Sequence, residues 1–268
     1  MPDFAFLQGL DKDIQSSLLN QLRYLWTHTS TSLEGNTLSL GETKFVIEEG
    51  LTISGKSLKD HQEVVGHARA IDILYDLVNQ EITKQSLFNL HKAIQTQDVS
   101  DIFKPQGAWK NEPNGTYAVG ANGKQVFIDY ASPADTPKLM KEWLTKLNFF
   151  SKQSLTIEQA ISGYSELHLG FVHIHPFWDG NGRLARLLSN IPLLKSGFPP
   201  LMISQENGKE YIQLLAIYQL NSEIVTTQSG VWTESSSRSE FEKFCTESYK
   251  TTIDLIDNAK EQQVKRLG

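Results

Sequence analysis

Apolar residues recur along most of this chain at three- and four-residue spacing, which predicts helices over about 13–33, 40–49, 58–79, 84–94, 137–147, 157–172, 183–194, 207–221 and 238–262. Start signals sharpen several of these. Ser39-Leu40-Gly41-Glu42 and Thr156-Ile157-Glu158-Gln159 read as capping boxes, and Ser57-Leu58-Lys59-Asp60 opens the third helix. In the helix from 157, the residues Ile157, Ala160, Ile161, Tyr164, Leu167 and Phe171 form one buried stripe. Pro192 falls inside the helix predicted from 183, where its ring clashes one turn back, so a kink is expected. One stretch departs from the helical period. Between 115 and 130 two β-rich runs flank Ala121-Asn122-Gly123, and an Asn-Gly pair in that setting is a strong hairpin signal. The fold class is therefore mainly α: a helical bundle with a small β-hairpin.

The chain of 268 residues has ordinary composition, no internal repeat and no long linker, enough for one domain with a sizeable core. Its boundary is expected near 230, with 231–268 a C-terminal helical extension packed on the same domain. Ser235-Ser236-Ser237 leads into that extension, and Phe241, Phe244, Tyr249, Ile253 and Ile256 give it an apolar face. A net charge of −6 argues against a broad nucleic-acid footprint. The single cysteine, Cys245, excludes an intramolecular disulfide and suits a reducing compartment. No apolar run is long enough to span a bilayer, and residues 1–6 carry no signal-peptide pattern. These features lead to the expectation of a soluble, cytoplasmic protein with no membrane partner.

The chemistry is concentrated in His175-Pro176-Phe177-Trp178-Asp179-Gly180-Asn181-Gly182-Arg183-Leu184-Ala185-Arg186. Pro176 and the Gly180-Asn181-Gly182 triplet end one helix and turn into the N-terminus of the next, where backbone N–H groups point outward. That end carries partial positive charge, yet Arg183 and Arg186 crowd it one turn apart. The conflict is resolved by a polyphosphate, which the amides and two arginines can grip together. Gly182 leaves room for close approach of backbone to ligand. Asp179, a carboxylate beside phosphates, makes sense chiefly as a ligand of Mg²⁺. His175 has the near-neutral pKa that suits a base for an attacking hydroxyl. Taken singly, a histidine before proline, a Gly-Asn-Gly turn and paired helical arginines each have a structural explanation. Their ordered conjunction points to phosphoryl or nucleotidyl transfer.

The same run matches the Fic signature HxFx(D/E)GNGRxxR at every specified position, and the chain resembles that family over roughly residues 27–218. The similarity is to members with an N-terminal inhibitory segment, here about 13–35 of a Fic domain covering 1–230. The resemblance implies transfer of AMP from ATP to a hydroxyl of a target protein, with release of pyrophosphate. It makes His175 the base and Asp179 the Mg²⁺ ligand. Gly180, Asn181 and the neighbouring amides would meet the α-phosphate, Arg183 the β-phosphate and Arg186 the γ-phosphate. Phe177 would anchor the loop in the core. Gly182 marks the AMP-transferring kind, because kinase-like members carry lysine there.

A second match is Ser30-Thr31-Ser32-Leu33-Glu34-Gly35-Asn36, which fits the family's inhibitory pattern (S/T)xxxE(G/N). Ser30 and Glu34 stand four residues apart on one helical face, and Gly35 is a natural stop. By resemblance Glu34 pairs with Arg186 and takes the place of the γ-phosphate, which makes the enzyme autoinhibited. The hairpin corresponds to the family's flap, which holds a target backbone by strand addition, with Tyr117 and Val119 as docking candidates. Tyr211 is a candidate for the adenine site, although its spacing with Leu214, Leu215 and Tyr218 equally describes core. The implied partner is a protein bearing a Ser, Thr or Tyr hydroxyl, the chain itself included, and self-modification and homodimer formation regulate inhibition in the resembled family. Three other functions compete. The same residues could remove AMP, with Glu34 positioning water; His168, His173, His175 and Asp179 could form a metal hydrolase; or the fold could be a non-catalytic nucleotide-binding module.

Overall fold

The computed structural model describes residues 4–95, 101–119, 123–232, 235 and 237–267. After a short 3₁₀ turn at Ala5–Leu7 come α1 (Lys12–Ser32), α2 (Leu40–Glu49), α3 (Leu58–Leu77) and α4 (Lys84–Ile94). The hairpin strands β1 (Gly115–Val119) and β2 (Gln125–Asp129) follow, then α5 (Thr136–Phe150), α6 (Ile157–Ile174), α7 (Asn181–Leu188), α8 (Ile191–Lys195), α9 (Gly208–Leu220), α10 (Arg238–Ser248) and α11 (Lys250–Leu267). The capping boxes at Ser39 and Thr156 form as the sequence predicts, each side chain accepting from the N3 amide while the N3 side chain reaches back.

Helix α6 is the axis of the molecule. It packs on α5, α7, α8, α9 and α10, and of its residues from Ala160 onward only Ser162 is not buried. On one side lies the larger apolar cluster, which includes Leu22, Trp26, Ile71, Leu74, Leu90, Trp143, Phe171 and Phe177. On the other, Tyr164, Leu169, Tyr211, Phe241 and Phe244 form a second. Each such side chain taken from water contributes about 1.5–3 kcal/mol, so an element buried on both sides is held far more firmly than its neighbours. Trp143 keeps its indole N–H satisfied by donating to Leu167 O at 2.8 Å. Of the predicted stripe, Ile157 is only partly buried and the rest are buried. At Gly170 any Cβ would collide with Trp232 and Val231, so glycine lets that segment lie directly on the axis helix.

Two predicted helices are each broken in two. The helix expected over 183–194 stops at Leu188, and Pro192 sits in the first turn of α8, where a missing N–H costs nothing. Asn190 occupies the break. Its amide donates to Arg186 O and Leu201 O, and its carbonyl oxygen accepts from Leu201 N. The helix expected over 238–262 breaks at the buried Tyr249, and α11 then runs on to Leu267. There the Thr252 hydroxyl donates to Pro200 O at 2.8 Å. Helix α10 packs on α6 and α11 on α1, with Gln263 accepting from Asp11 N and Arg266 paired to Asp13. Asn122 of the predicted turn and Ser236 of the predicted linker lie outside the described residues. The strands pair antiparallel in the register Tyr117↔Phe127, their rings edge-on at 5.1 Å.

Candidate active site

Helix α6 ends at His175, whose backbone is left-handed (φ 52°, ψ 60°), the only non-glycine residue with positive φ among the described residues. A histidine there is strained by roughly 1–3 kcal/mol and persists because its surroundings over-determine it. The ring stacks flat on Tyr130, with centroids 3.9 Å apart and planes within 1°. Its Nδ1 faces Val172 O at 3.3 Å. A carbonyl only accepts, so the neutral ring carries its proton on Nδ1 and presents Nε2 as a base. Burial, and next the ammonium of Lys110, push the His175 pKa down to about 4, so the ring is free base at neutral pH.

The loop after it is held from inside. Phe177 is fully buried and stacks on His91 at 4.0 Å. Asn181 has both side-chain ends committed to the backbone of Phe177, Oδ1 accepting from its N–H and Nδ2 donating to its carbonyl. The structure thus gives the Asn181 side chain a loop-shaping task where the resemblance implied phosphate contact. Gly180, left-handed at φ 77°, is the N-cap of α7, and no side chain caps that helix, so its first-turn N–H groups are offered outward.

Both motif arginines are nearly buried. Arg186 Nε donates to Ser30 Oγ at 3.0 Å. One terminal nitrogen donates to Tyr211 Oη at 3.1 Å, and the other to Ser30 O at 2.8 Å and Glu34 Oε1 at 2.6 Å. Glu34 lies on the turn beyond α1, two residues past the helix end at Ser32, and not within the helix as the spacing predicted. A Cβ on residue 182 would strike the Glu34 carboxylate, so glycine there is what lets the two segments meet. Arg183 donates to Asp179 Oδ2 at 3.1 Å and stands 3.9 Å from Glu63 Oε1, while its buried Nε has no partner among the described residues. Glu63 also accepts from Asn36 Nδ2 at 3.1 Å, which ties the turn carrying Glu34 to α3.

Tyr211 is fully buried, between Phe241 and Phe244. Its hydroxyl accepts from Arg186 and is hydrogen-bonded to His168 Nε2 at 3.0 Å. Its ring is core, and its oxygen is an arginine anchor. The four groups of the metal-hydrolase alternative are not brought together, since His168 faces Tyr211 and His173 packs on Tyr218. Among the described residues no three His, Cys, Asp or Glu converge. Asp179 is exposed, 58% for its side chain, and accepts from Gln95 Nε2 at 2.9 Å. Desolvation works the other way, yet Arg183 and the Gln95 amide hold its carboxyl below the usual range. One ionised, accessible carboxylate fits Mg²⁺, which takes one or two protein carboxylates and its remaining ligands from substrate phosphate and water.

A cleft of about 270 Å³ joins His175 to Glu34 and Arg186, while Asp179 lines a separate pocket with His91 and Gln95. Glu34, His175, Gly182 and Arg186 line one part of the cleft, Ile212, Leu215, Ala216 and Gln219 of α9 another, and Thr116–Ala118 of β1 the rim. Tyr117 and Val119 are exposed on the same strand. A larger cavity, about 510 Å³ beside Tyr24 and Leu40, contains none of the predicted site residues. Sequence spacing gave no hint of Lys110, Glu63, Gln95 or Tyr130, because each comes from an element remote from the motif.

Residues 81–193 match the model of the Fic/DOC family. The chain is 28% identical over 219 residues to protein adenylyltransferase fic-1 of Caenorhabditis briggsae, covering 81% of this chain and 40% of that protein. It is 31% identical over 194 residues to protein adenylyltransferase Fic of Drosophila grimshawi, covering 70% and 36%. The chain thus spans two fifths or less of the length of these curated relatives. Its fold is similar to a Fic domain containing signaling protein from Bacteroides thetaiotaomicron, with TM-score 0.81 and 27% identity over 95% of this chain and 93% of that one. Residues 134–508 of Fic-1 from C. elegans give 0.72 and 25%, covering 97% and 69%.

Proposed function

This chain belongs to the Fic/DOC family, and on that premise we propose that it is a protein adenylyltransferase restrained by its own Glu34. The observation that carries the proposal is one cleft with a base at one end, His175 with Nε2 presented, and at the other an arginine, Arg186, held by a carboxylate from outside the motif. His175 Nε2 takes the proton of a target hydroxyl. The freed oxygen attacks the α-phosphorus of ATP, a new P–O bond forms, the bond to the β-phosphate oxygen breaks, and pyrophosphate leaves. The amides opening α7 and Arg183 hold the phosphates, and Arg183's unpartnered Nε is the donor an anion would satisfy. Asp179 would hold Mg²⁺, which supplies neutralising charge when bound. The apolar face of α9 receives the base, and β1 receives the target backbone as an added strand.

In this proposal the Glu34 carboxylate occupies the γ-phosphate's place on Arg186, so ATP enters productively only when Glu34 leaves. Removal of AMP is the second reading, favoured by one fact: Glu34 is half-exposed in the cleft that also holds His175. The test is incubation of wild type, Glu34→Gly and Glu34→Gly/His175→Ala with Mg²⁺, α-labelled ATP and a lysate. Label is expected only with Glu34→Gly, at least about tenfold above wild type, a gain in the range of ordinary coupling energies. Label equally strong in the double variant would remove His175 as the base. No label anywhere, with release of AMP from a modified protein only when Glu34 is present, would establish the reverse reaction.

A further inference from the structure

The left-handed backbone at His175 has no glycine to relieve it, so something must hold the residues on either side. Both neighbours are held by one residue. Lys110 donates its backbone N–H to Pro176 O at 2.9 Å and its ammonium to Ile174 O at 3.1 Å, so it grips the carbonyls of the residue before and the residue after His175. The ammonium also donates to Asn114 Oδ1 at 2.6 Å, and Asn114 Nδ2 in turn donates to Phe177 O at 3.2 Å, extending the clamp to a third carbonyl of the loop. Lys110 is 3% exposed, and its Nζ lies 6.0 Å from the centre of the Tyr130 ring, which stacks on the His175 ring.

We infer that Lys110 is a positioning residue for His175, fixing its bend and the orientation of its ring, and placing a cation beside it that no carboxylate neutralises. The inference rests on the transfer reading above. For a purely mechanical clamp, an uncharged donor would serve at lower cost, because a buried charge without a counter-ion is unfavourable. Lys110's partners are carbonyl oxygens, and among the described residues no carboxylate pairs with it. Its burial lowers its own pKa to about 7, so across the range where His175 would acquire a proton Lys110 is charged and opposes it. The other charged groups felt by the ring, Glu34 from the inhibitory turn and Asp179 from the motif loop, act in the opposite sense. Lys110 thus adds to burial, the larger effect, and offsets two carboxylates that favour the protonated ring.

The test uses the full chain with ring-labelled histidine, following the His175 resonance by NMR from pH 8 to 4 (a pH range on the order of those where histidine titrates) and assigning it with His175→Ala. Lys110→Met, which keeps the stem and removes the charge, is expected to move the His175 midpoint upward. In the Glu34→Gly background it is expected to lower kcat on the order of tenfold or more with KM for ATP little changed, because the lysine orients the base and does not touch phosphate. Lys110→Arg is expected to keep the midpoint low and restore most of kcat. An unmoved midpoint in Lys110→Met overturns the inference, whatever happens to kcat, and so does a Lys110→Arg protein as impaired as Lys110→Met. Should Lys110→Met not fold, Lys110→Arg decides alone, since its permanent charge must leave the midpoint no higher than in wild type. The titration needs no turnover, so a protein that labels nothing in any form refutes the proposed reaction and leaves the test of Lys110 standing.

Discussion

Arg183 and Arg186 stand one turn apart on α7, are equally buried, and are satisfied in opposite ways. Arg186 directs three nitrogens at Ser30, Glu34 and Tyr211, from a segment more than 150 residues away in sequence and from α9. Arg183 has an exposed carboxylate four residues back, a second carboxylate at 3.9 Å and a bare buried Nε. One arginine is therefore part of the folded core's hydrogen bonding, while the other keeps a buried donor without a partner among the described residues. In the proposed function the regulated position is the one whose partners the protein itself supplies. Tyr211 matters here as well, because it anchors Arg186 independently of Glu34. Removing Glu34 therefore leaves the arginine aimed into the cleft.

Stability measurements give the sharpest way to break the contrast. Arg186→Met strands Glu34, Ser30 O and Tyr211 in or near the core and is expected to cost about 3–5 kcal/mol in urea unfolding. Arg183→Met removes an already under-satisfied group and is expected to cost about 1 kcal/mol or less. Equal losses would mean that the two sites are structurally equivalent.

Acid titration follows. His168, hydrogen-bonded to the Tyr211 hydroxyl, is held neutral by burial and then by the Arg186 cation, its pKa well below the ordinary 6.5. Below that value the unfolded chain takes up a proton that the native chain refuses. Stability from this group is thus fully present above pH 6.5 and is lost as pH falls below it. The linkage slope is about 1.4 kcal/mol per pH unit, and His168→Gln, which keeps an acceptor, is expected to flatten the wild-type loss by that amount. Thermal unfolding from pH 7 to 5 (on the order of the histidine window) reads it, and an unchanged slope would remove His168 from the Arg186 network. A similarly small effect, about 1 kcal/mol, is expected from Tyr211→Phe, which deletes one bridging hydroxyl. If it costs nothing, Glu34 and Ser30 hold Arg186 without help.

Much of this was legible in the chain, for reasons that differ by residue. The helices with capping boxes at Ser39 and Thr156 fall where the sequence places them because their signals are local and reciprocal. At Pro192 a kink was expected where the helix breaks outright, and the break at Tyr249 was missed, since each depends on Leu201 or Pro200 arriving from elsewhere. Asn181 was read by its motif as a ligand contact, and the structure shows its side-chain amide bonded to the backbone of Phe177, a local ring the motif reading did not foresee. Tyr211 read equally as core or adenine site. Its place was decided by the packing of α10 and by the arginine beside it.

By itself the sequence determined that a base, a carboxylate, a glycine turn and two arginines share twelve residues, because contiguous atoms cannot be far apart whatever the fold. It also supplied a glutamate with a glycine behind it, and a glycine at 182 small enough to let that glutamate in. The resemblance named Arg186 as the partner of Glu34; only the tertiary structure decided that Ser30 holds the same arginine, that Lys110 straddles His175, and that Tyr211 turns its oxygen to Arg186. Those contacts join segments 25 to 156 residues apart, and their geometry is set by burying apolar faces around α6. Hydrophobic burial is not directional, so no spacing along the chain encodes which polar groups it will bring face to face.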